Sequence, residues 1–315
     1  MIPYILRRLL QLIPVLLIAS FAIWGILFVV PGGPVGALVG ENATPEQIAA
    51  VTAELGLDRP FYIQYADWLW HAVQGDFGIS IYSKQPVTAL VFSRLPATLE
   101  LALVAITFAL IIGIPIAILS AMYPGSWLDR ILSAWSALAL GVPTFWVGIL
   151  MILLFAVYMR WLPSASQYVS LFQDPLTAMR FMLMPGLTLG IYVSGVLARF
   201  LRASLITEMR SDYVRTARSK GMPGWAIMRR HIMPNAMLPF ITVVALMIAN
   251  FVAGAVVTES VFTYPGIGRL LVGAIETRDY PLIQGCIMII LVMYVLINLM
   301  VDILYAYVDP RVSLS

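Results

Sequence analysis

The sequence predicts an all-α membrane protein with six spanning helices, and three observations carry that prediction. The 315-residue chain is 61% hydrophobic and only 11% charged, whereas a soluble domain carries roughly 25% charged residues. Six apolar runs, at 9–30, 98–122, 132–158, 181–201, 238–261 and 282–306, reach the length of about 20 residues that a helix needs to cross a bilayer. The few basic residues are also shared unevenly between the loops that join these runs. This composition excludes a soluble enzyme and a disordered chain. A net charge of +3 is too small to favour nucleic acid as a partner.

The first run follows Arg7 and Arg8. It exceeds the roughly 7–15 residues of a signal-peptide apolar region, so it reads as a retained span with a cytoplasmic N-terminus. The long polar loop 31–95 comes next. Thr44 followed by Pro45, with Gln47 three residues after Thr44, is a helix start, with Thr as cap and Pro at the first helical position. Ile48, Val51 and Leu55 give it an apolar stripe, and Gly56 can end it. A second short helix is expected from Pro60 to about Gly75, with Phe61, Tyr65, Trp68, Leu69 and Ala72 on one face. Together they predict a small helical cap on the outer surface, whose aromatics form either an interfacial belt or a contact site for an external protein. Pro14, Pro115, Pro143 and Pro185 lie inside the runs, which predicts a kinked bundle.

Alternation of spans then fixes the loops. Arg7, Arg8, Arg130, Arg311 and the cluster Arg199, Arg202, Arg210, Arg215, Arg218, Lys220, Arg229 and Arg230 fall on the inner side, twelve of the 19 basic residues. The other seven are spread over longer outer loops, so the positive-inside bias predicts both termini in the cytoplasm.

The inner loop 202–237 holds the densest part of that cluster. Leu205, Met209, Tyr213 and Ala217 recur every four residues as a helical stripe, and Gly221 breaks it. Pro223 suits the first turn of a second short helix with Trp225, Met228 and Ile232 as its apolar stripe, and Pro234 and Pro239 mark entry to the next span. Such an element either docks into a groove of a partner protein or rests on anionic lipid.

Polar groups inside the membrane are expensive and therefore functional candidates. Tyr192 and Ser194 in the fourth run, Asn250 in the fifth and Asn298 in the sixth can line a pathway or bond between helices. Three acids read as structural. Glu100 is placed to cap the positive end of its helix, Glu259 lies near the outer end of the fifth run, and Asp302, four residues after Asn298, is expected to pair with a loop arginine. No acid–base pair or nucleophile set suggests catalysis. Cys286 is single, and His71 and His231 lack zinc-ligand spacing, so no metal site is expected.

The inner loop resembles the so-called EAA loop of permease subunits in binding-protein-dependent ABC importers. That pattern has Glu-Ala-Ala, a glycine after three intervening residues, nine further residues and then Ile-x-Leu-Pro. Here Arg215-Thr216-Ala217 occupies the Glu-Ala-Ala place, Gly221 the glycine and Pro234 the proline, with His231 and Met233 at the Ile and Leu positions. The wording "DYVRTARSKG" resembles the dipeptide and oligopeptide branch, which also contains glutathione and nickel permeases. So do "ILRRLLQLIPVLL", "ELGLDRPFYIQY", "GDFGIS", "RLPATLELA", "PNAMLP", "TESVFTYPGIGRLL", "RDYPLIQG" and "INLMVDILYAYVDPR", which follow in order along nearly the whole chain.

The resemblance implies a type I ABC importer permease fold. An N-terminal span with its periplasmic loop would occupy 1–95, a five-helix core 96–306 and a cytoplasmic tail 307–315. Tyr213, Arg215, Thr216, Ala217, Lys220, Gly221 and Pro234 would form the loop that couples the membrane helices to an ATPase. The implied partners are a second, homologous permease, two cytoplasmic ATPase subunits, a periplasmic binding protein and membrane lipid, with short peptides as cargo in the bacterial inner membrane. The chain has no G-x-x-x-x-G-K-[ST] motif; its nearest glycine-rich segment is Tyr264-Pro265-Gly266-Ile267-Gly268-Arg269. ATP and magnesium are accordingly expected on the partner subunits, and no cofactor on this chain.

Overall fold

The computed structural model describes residues 2–29, 44–54 and 58–308. The loop 31–43, Leu55, Gly56 and the tail 309–315 with Arg311 lie outside the described residues, as do the side chains of Ile48 and Val51. The described residues are almost entirely helical: α1 Ile2–Val29, α2 Pro45–Glu54, α3 Phe61–Val73, α4 Val87–Met122, α5 Trp127–Gly141, α6 Thr144–Met151, α7 Pro175–Met209, α8 Asp212–Ser219, α9 Gly224–Ile227, α10 Met233–Val261, α11 Ile267–Glu276 and α12 Tyr280–Val308. Two π-helical segments, Ile152–Tyr158 and Met228–Ile232, continue α6 and α9.

Five helical stretches are long and apolar enough to cross a membrane: α1, α4, α7, the α9–α10 stretch and α12. The sixth expected span is instead a broken pair, α5 and α6, bent by 101°. Val142 is extended (φ −91°, ψ 127°) and Pro143 follows it. Proline pushes the preceding residue out of the helical region and removes an N–H that would have bonded Ala139. Pro14, Pro96, Pro115, Pro185 and Pro239 all sit within continuous helices, so the break needs more than a proline.

The centre of the molecule is the α4–α7 pair, which makes the most extensive helix contact. At about 1.5 Å per residue these helices of 36 and 35 residues far exceed the bilayer thickness. Small residues permit their close approach. A Cβ on Gly190 would lie 2.8 Å from the Phe108 Cβ, and one on Gly195 2.8 Å from the Ala139 Cβ of α5. Between membrane helices, where no hydrophobic force discriminates protein from lipid, such backbone proximity supplies the packing energy. One core unites α4, α7, α10 and the loop α8–α9; a second unites α1, α3, α11, α12 and the start of α4.

The cap starts as its sequence suggests. The Thr44 N–H donates to Gln47 Oε1 (3.0 Å) and the Gln47 N–H to Thr44 Oγ1 (3.3 Å), a reciprocal capping box. Helix α3 follows Pro60 and ends before Gly75, whose φ of +82° reverses the chain. Its aromatics divide. Tyr65 bonds the Leu17 carbonyl (3.2 Å) and packs edge-on against Phe21, whereas Phe61, Tyr62 and Trp70 are exposed.

Candidate functional site: the basic loop and the cavity above it

The basic loop is a built element seated on the bundle. Helix α7 stops at Met209, the chain turns at Arg210–Ser211, and α8 begins. Of the expected stripe Leu205 and Ala217 are buried, but after this turn Val214 takes the inward place expected of Tyr213, which is exposed; Val214 and Ala217 share a core with Leu205, Ile227, Met228, Ile232 and Ala236. In the second short helix the expected Met228 and Ile232 are buried, joined by Ile227, while Trp225 is 57% exposed. Pro223 precedes the short helix as its N-terminal flank, outside the first turn. Gly221 sits at φ +76° with nothing within 4 Å of the place its Cβ would occupy. Its requirement is therefore conformational, a left-handed hinge that a β-branched residue adopts only under strain. Pro234 lies in the first turn of α10, where a missing N–H costs nothing.

Tyr213 ties three segments together. Its hydroxyl donates to Glu208 Oε2 at the end of α7 (2.5 Å) and accepts from Asn235 Nδ2 of α10 (3.1 Å). Asn235 Nδ2 also donates to the His231 carbonyl in the π-segment (3.0 Å). Beyond this clasp Arg215, Thr216, Arg218, Lys220, Trp225, Arg229 and Arg230 are all exposed. An aromatic anchor with a cationic rim has the chemistry of a protein-docking surface.

The broken span opens a cavity of about 390 Å³ lined by Leu140, Gly141, Val142, Pro143, Thr144, Leu189, Tyr192, Val193, Met247, Asn250 and Phe251. Tyr192 and Asn250 therefore meet at one place. The Asn250 Nδ2 donates within its own helix to the Leu246 carbonyl (3.0 Å). Ser194 is fully buried, bonded to the Ile191 carbonyl (2.7 Å), and lines no part of this cavity; nor does Asn298, whose amide bonds the Tyr294 carbonyl (2.9 Å).

The three singled-out acids each hold two pieces of chain together. Glu100 lies well inside α4, because that helix begins at Val87, so it cannot cap its own helix. Instead it accepts from Tyr168 (3.1 Å), Ser170 (3.0 Å) and the Leu171 N–H (2.8 Å), pinning the loop before α7. Glu259 is fully buried and accepts from Thr98 Oγ1 (2.7 Å) and the Arg269 N–H (3.1 Å). It thereby holds the start of α11, where the helix dipole favours an anion. A Cβ on Gly266 would fall 2.1 Å from its Oε1. Asp302 pairs with Arg8 of α1 (3.4 Å), not with a loop arginine, because α1 packs along α12.

Two further clusters escaped the sequence reading. Asp129 receives Arg202 Nη2 (2.9 Å), Arg202 Nε (3.0 Å), the Ser120 hydroxyl and the Gly125 N–H (2.9 Å), locking the α4–α5 turn to α7. The pattern Ser126-x-x-Asp129 signalled only the local cap, in which Ser126 accepts the Asp129 N–H. Asp279 is fully buried and gathers Ser80 Oγ (2.5 Å) and the Ile81 and Tyr82 N–H groups, joining chain segments some two hundred residues apart. Nothing local marked that pairing. Among the described residues, no three His, Cys, Asp or Glu side chains are grouped to hold a metal ion.

Two family descriptions match this architecture in sequence. Residues 113–314 match the binding-protein-dependent transport system inner membrane component, and residues 1–102 the N-terminal part of such membrane components. The chain belongs to this permease family. Relatives of the permease include the dipeptide transport system permease protein of Alkalihalophilus pseudofirmus, 35% identical over 332 residues (99% of this chain, 100% of that one). The glutathione transport system permease protein of Escherichia coli strain K12 is 38% identical over 312 residues (99% of each chain). Among solved structures, a methionine ABC transporter in inward-facing conformations shares the permease fold with a TM-score of 0.57 at 18% identity, covering 70% of this chain and 96% of that one. An amino acid ABC transporter does so with a TM-score of 0.55 at 19% identity, covering 70% and 94%. The protein is thus the permease of a binding-protein-dependent ABC importer, a multi-pass inner-membrane subunit that works with ATPase and substrate-binding partners.

Proposed function

We propose that this permease moves short peptides inward as one half of a heterodimeric channel, with both termini in the cytoplasm and no ATP site or catalytic activity of its own. The observation that carries the reading is the seated basic loop. A Gly221-hinged pair of short helices is packed on the ends of α7 and α10 and presents Trp225 among free-standing cations. Two separate ATPase subunits would each grip one such loop, this one and its counterpart on the partner permease. ATP binding, by favouring the closed ATPase pair, would shift the permease between inward-open and outward-open states. The names of the dipeptide and glutathione relatives support small amide-linked cargo. Glutathione itself is the nearest alternative cargo.

Ion-driven transport has less support. Glu100, Glu259 and Asp302 are all committed to holding loops and helices together, whereas a relay needs carboxylates placed to exchange ions. Reconstituted vesicles test the proposal. Uptake of a peptide presented by the cognate binding protein should require ATP and the ATPase subunits and should ignore imposed proton and sodium gradients. Gradient-driven uptake by this chain without ATP would overturn it.

A further inference from the structure

We propose that the cavity at the broken span is a cargo-contact site for uncharged, hydrogen-bonding backbone, with Asn250 and Tyr192 as its specificity-determining residues. This rests on the peptide-importer reading above and adds where and how the membrane part recognises cargo.

Backbone irregularity at membrane depth is tolerated only where protein buries it or where it lines a cavity. Here the 101° break occurs at Val142–Pro143, and Gly141, Val142, Pro143 and Thr144 are all cavity-lining. Past the break, the carbonyls of Leu140 and Gly141 have no continuing turn of α5 to bond them. The bare backbone thus stands beside a carboxamide, a phenol and a hydroxyl, from Asn250, Tyr192 and Thr144. Asn250 spends one amide hydrogen on Leu246, which leaves its other amide hydrogen and its carbonyl oxygen available. That is the complement of a peptide linkage, which offers one N–H and one C=O.

The rest of the lining decides the charge preference. Leu140, Leu189, Val193, Met247 and Phe251 are apolar, and no Asp, Glu, Lys, Arg or His contributes. A phosphate, a metal chelate or a charged side chain entering this space would lose its hydration without gaining a counter-charge. An amide-linked segment with small apolar side chains loses little. The volume of about 390 Å³ lies within the range of small-molecule pockets, roughly 300–1,000 Å³, and suits a segment of a few residues.

A charge-placement experiment on the complete importer tests this. Uptake of Ala-Lys-Ala, Ala-Glu-Ala and Ala-Ala-Ala, each N-acetylated and C-amidated so that the termini carry no charge, is measured at concentrations that saturate the binding protein, so that its own preferences cancel. Wild type should favour Ala-Ala-Ala over both charged peptides. Asn250→Asp should raise the Lys-to-Glu uptake ratio about tenfold, the scale of one partly screened charge pair, and Asn250→Lys should lower it. Thr144→Asp places the same charge from a different helix, at a helix start that favours an acid, and should shift the ratio the same way. An unchanged ratio in an assembled, transporting variant of either position overturns the assignment. Failure of wild type to carry any peptide would instead overturn the peptide-importer reading.

Discussion

At the scale of single residues, buried polar groups decide which loops are held. Asp129 is almost fully buried and faces a guanidinium that is about one-third exposed. Asp129→Ala strands Arg202 beside Ser120 and should cost about 2–3 kcal/mol, less than a wholly buried pair because water still reaches Arg202. Thermal unfolding of the purified protein in detergent checks this, and replacing Arg202 by Met in the same chain should recover part of the loss. Tyr213 makes a different kind of link. Tyr213→Phe removes the clasp to Glu208 and Asn235 but keeps the ring, so stability should change by only about 1 kcal/mol. The number of ATP molecules hydrolysed per peptide imported should nevertheless rise, because the loop then moves without pulling α10. A wild-type ratio in that variant would remove the role given to the clasp. None of these pairings is legible in the sequence, since Asp129 and Arg202, or Ser80 and Asp279, meet only after the helices have packed.

At the scale of elements, local rules were readable and tertiary choices were not. The Thr44–Gln47 capping box and the Gly221 hinge depend on neighbouring residues alone, and both stand as the sequence implies. The apolar runs located the spans but undershot the helices: α4 begins at Val87 and α7 at Pro175, since helices continue past the membrane wherever protein packs against them. Pro14, Pro96, Pro115, Pro185 and Pro239 sit inside continuous helices whereas Pro143 accompanies a break, and hydropathy cannot tell that one apart. On α8 and α9 the repeat correctly marks Ala217, Met228 and Ile232 as inward, but Val214 and Ile227 are buried where it marks Tyr213 and Trp225. The Arg210–Ser211 turn resets the helical phase ahead of α8, which a four-residue repeat read straight through it cannot register. The α4–α7 seam gives the clearest prediction at this scale. Gly190→Leu drives a side chain into the Phe108 Cβ and the Ala105 carbonyl. It should separate the two helices and cost the overpacking range of about 1–3 kcal/mol or more. Recovery of folded protein on size-exclusion chromatography should fall sharply, while Gly273→Leu, at an open position, should leave it unchanged.

At the scale of the whole molecule, the basic loop is packed on α7 and α10, and the cavity lies between those two helices and the broken span. Arg229 and Arg230 are exposed on the same basic segment as Trp225, so the double substitution R229E/R230E should weaken assembly with the ATPase subunits. The defect should shrink as salt rises, because exposed charges are screened within about 10 Å at 0.1 M ionic strength. Pull-down at two ionic strengths measures it, and a salt-independent defect would point to misfolding instead. The π-segment Met228–Ile232 has a consequence for this geometry. A π-turn amounts to one residue more than an α-helix would use, and each residue turns a helix by about 100°. The segment therefore sets the azimuth of everything after it in α10, including the side of the helix on which Asn250 stands. Chain length across 228–232 is in this sense a dial: shortening it by one residue would straighten the helix and swing the cavity's carboxamide wall toward a different neighbour, even though every side chain downstream had been kept.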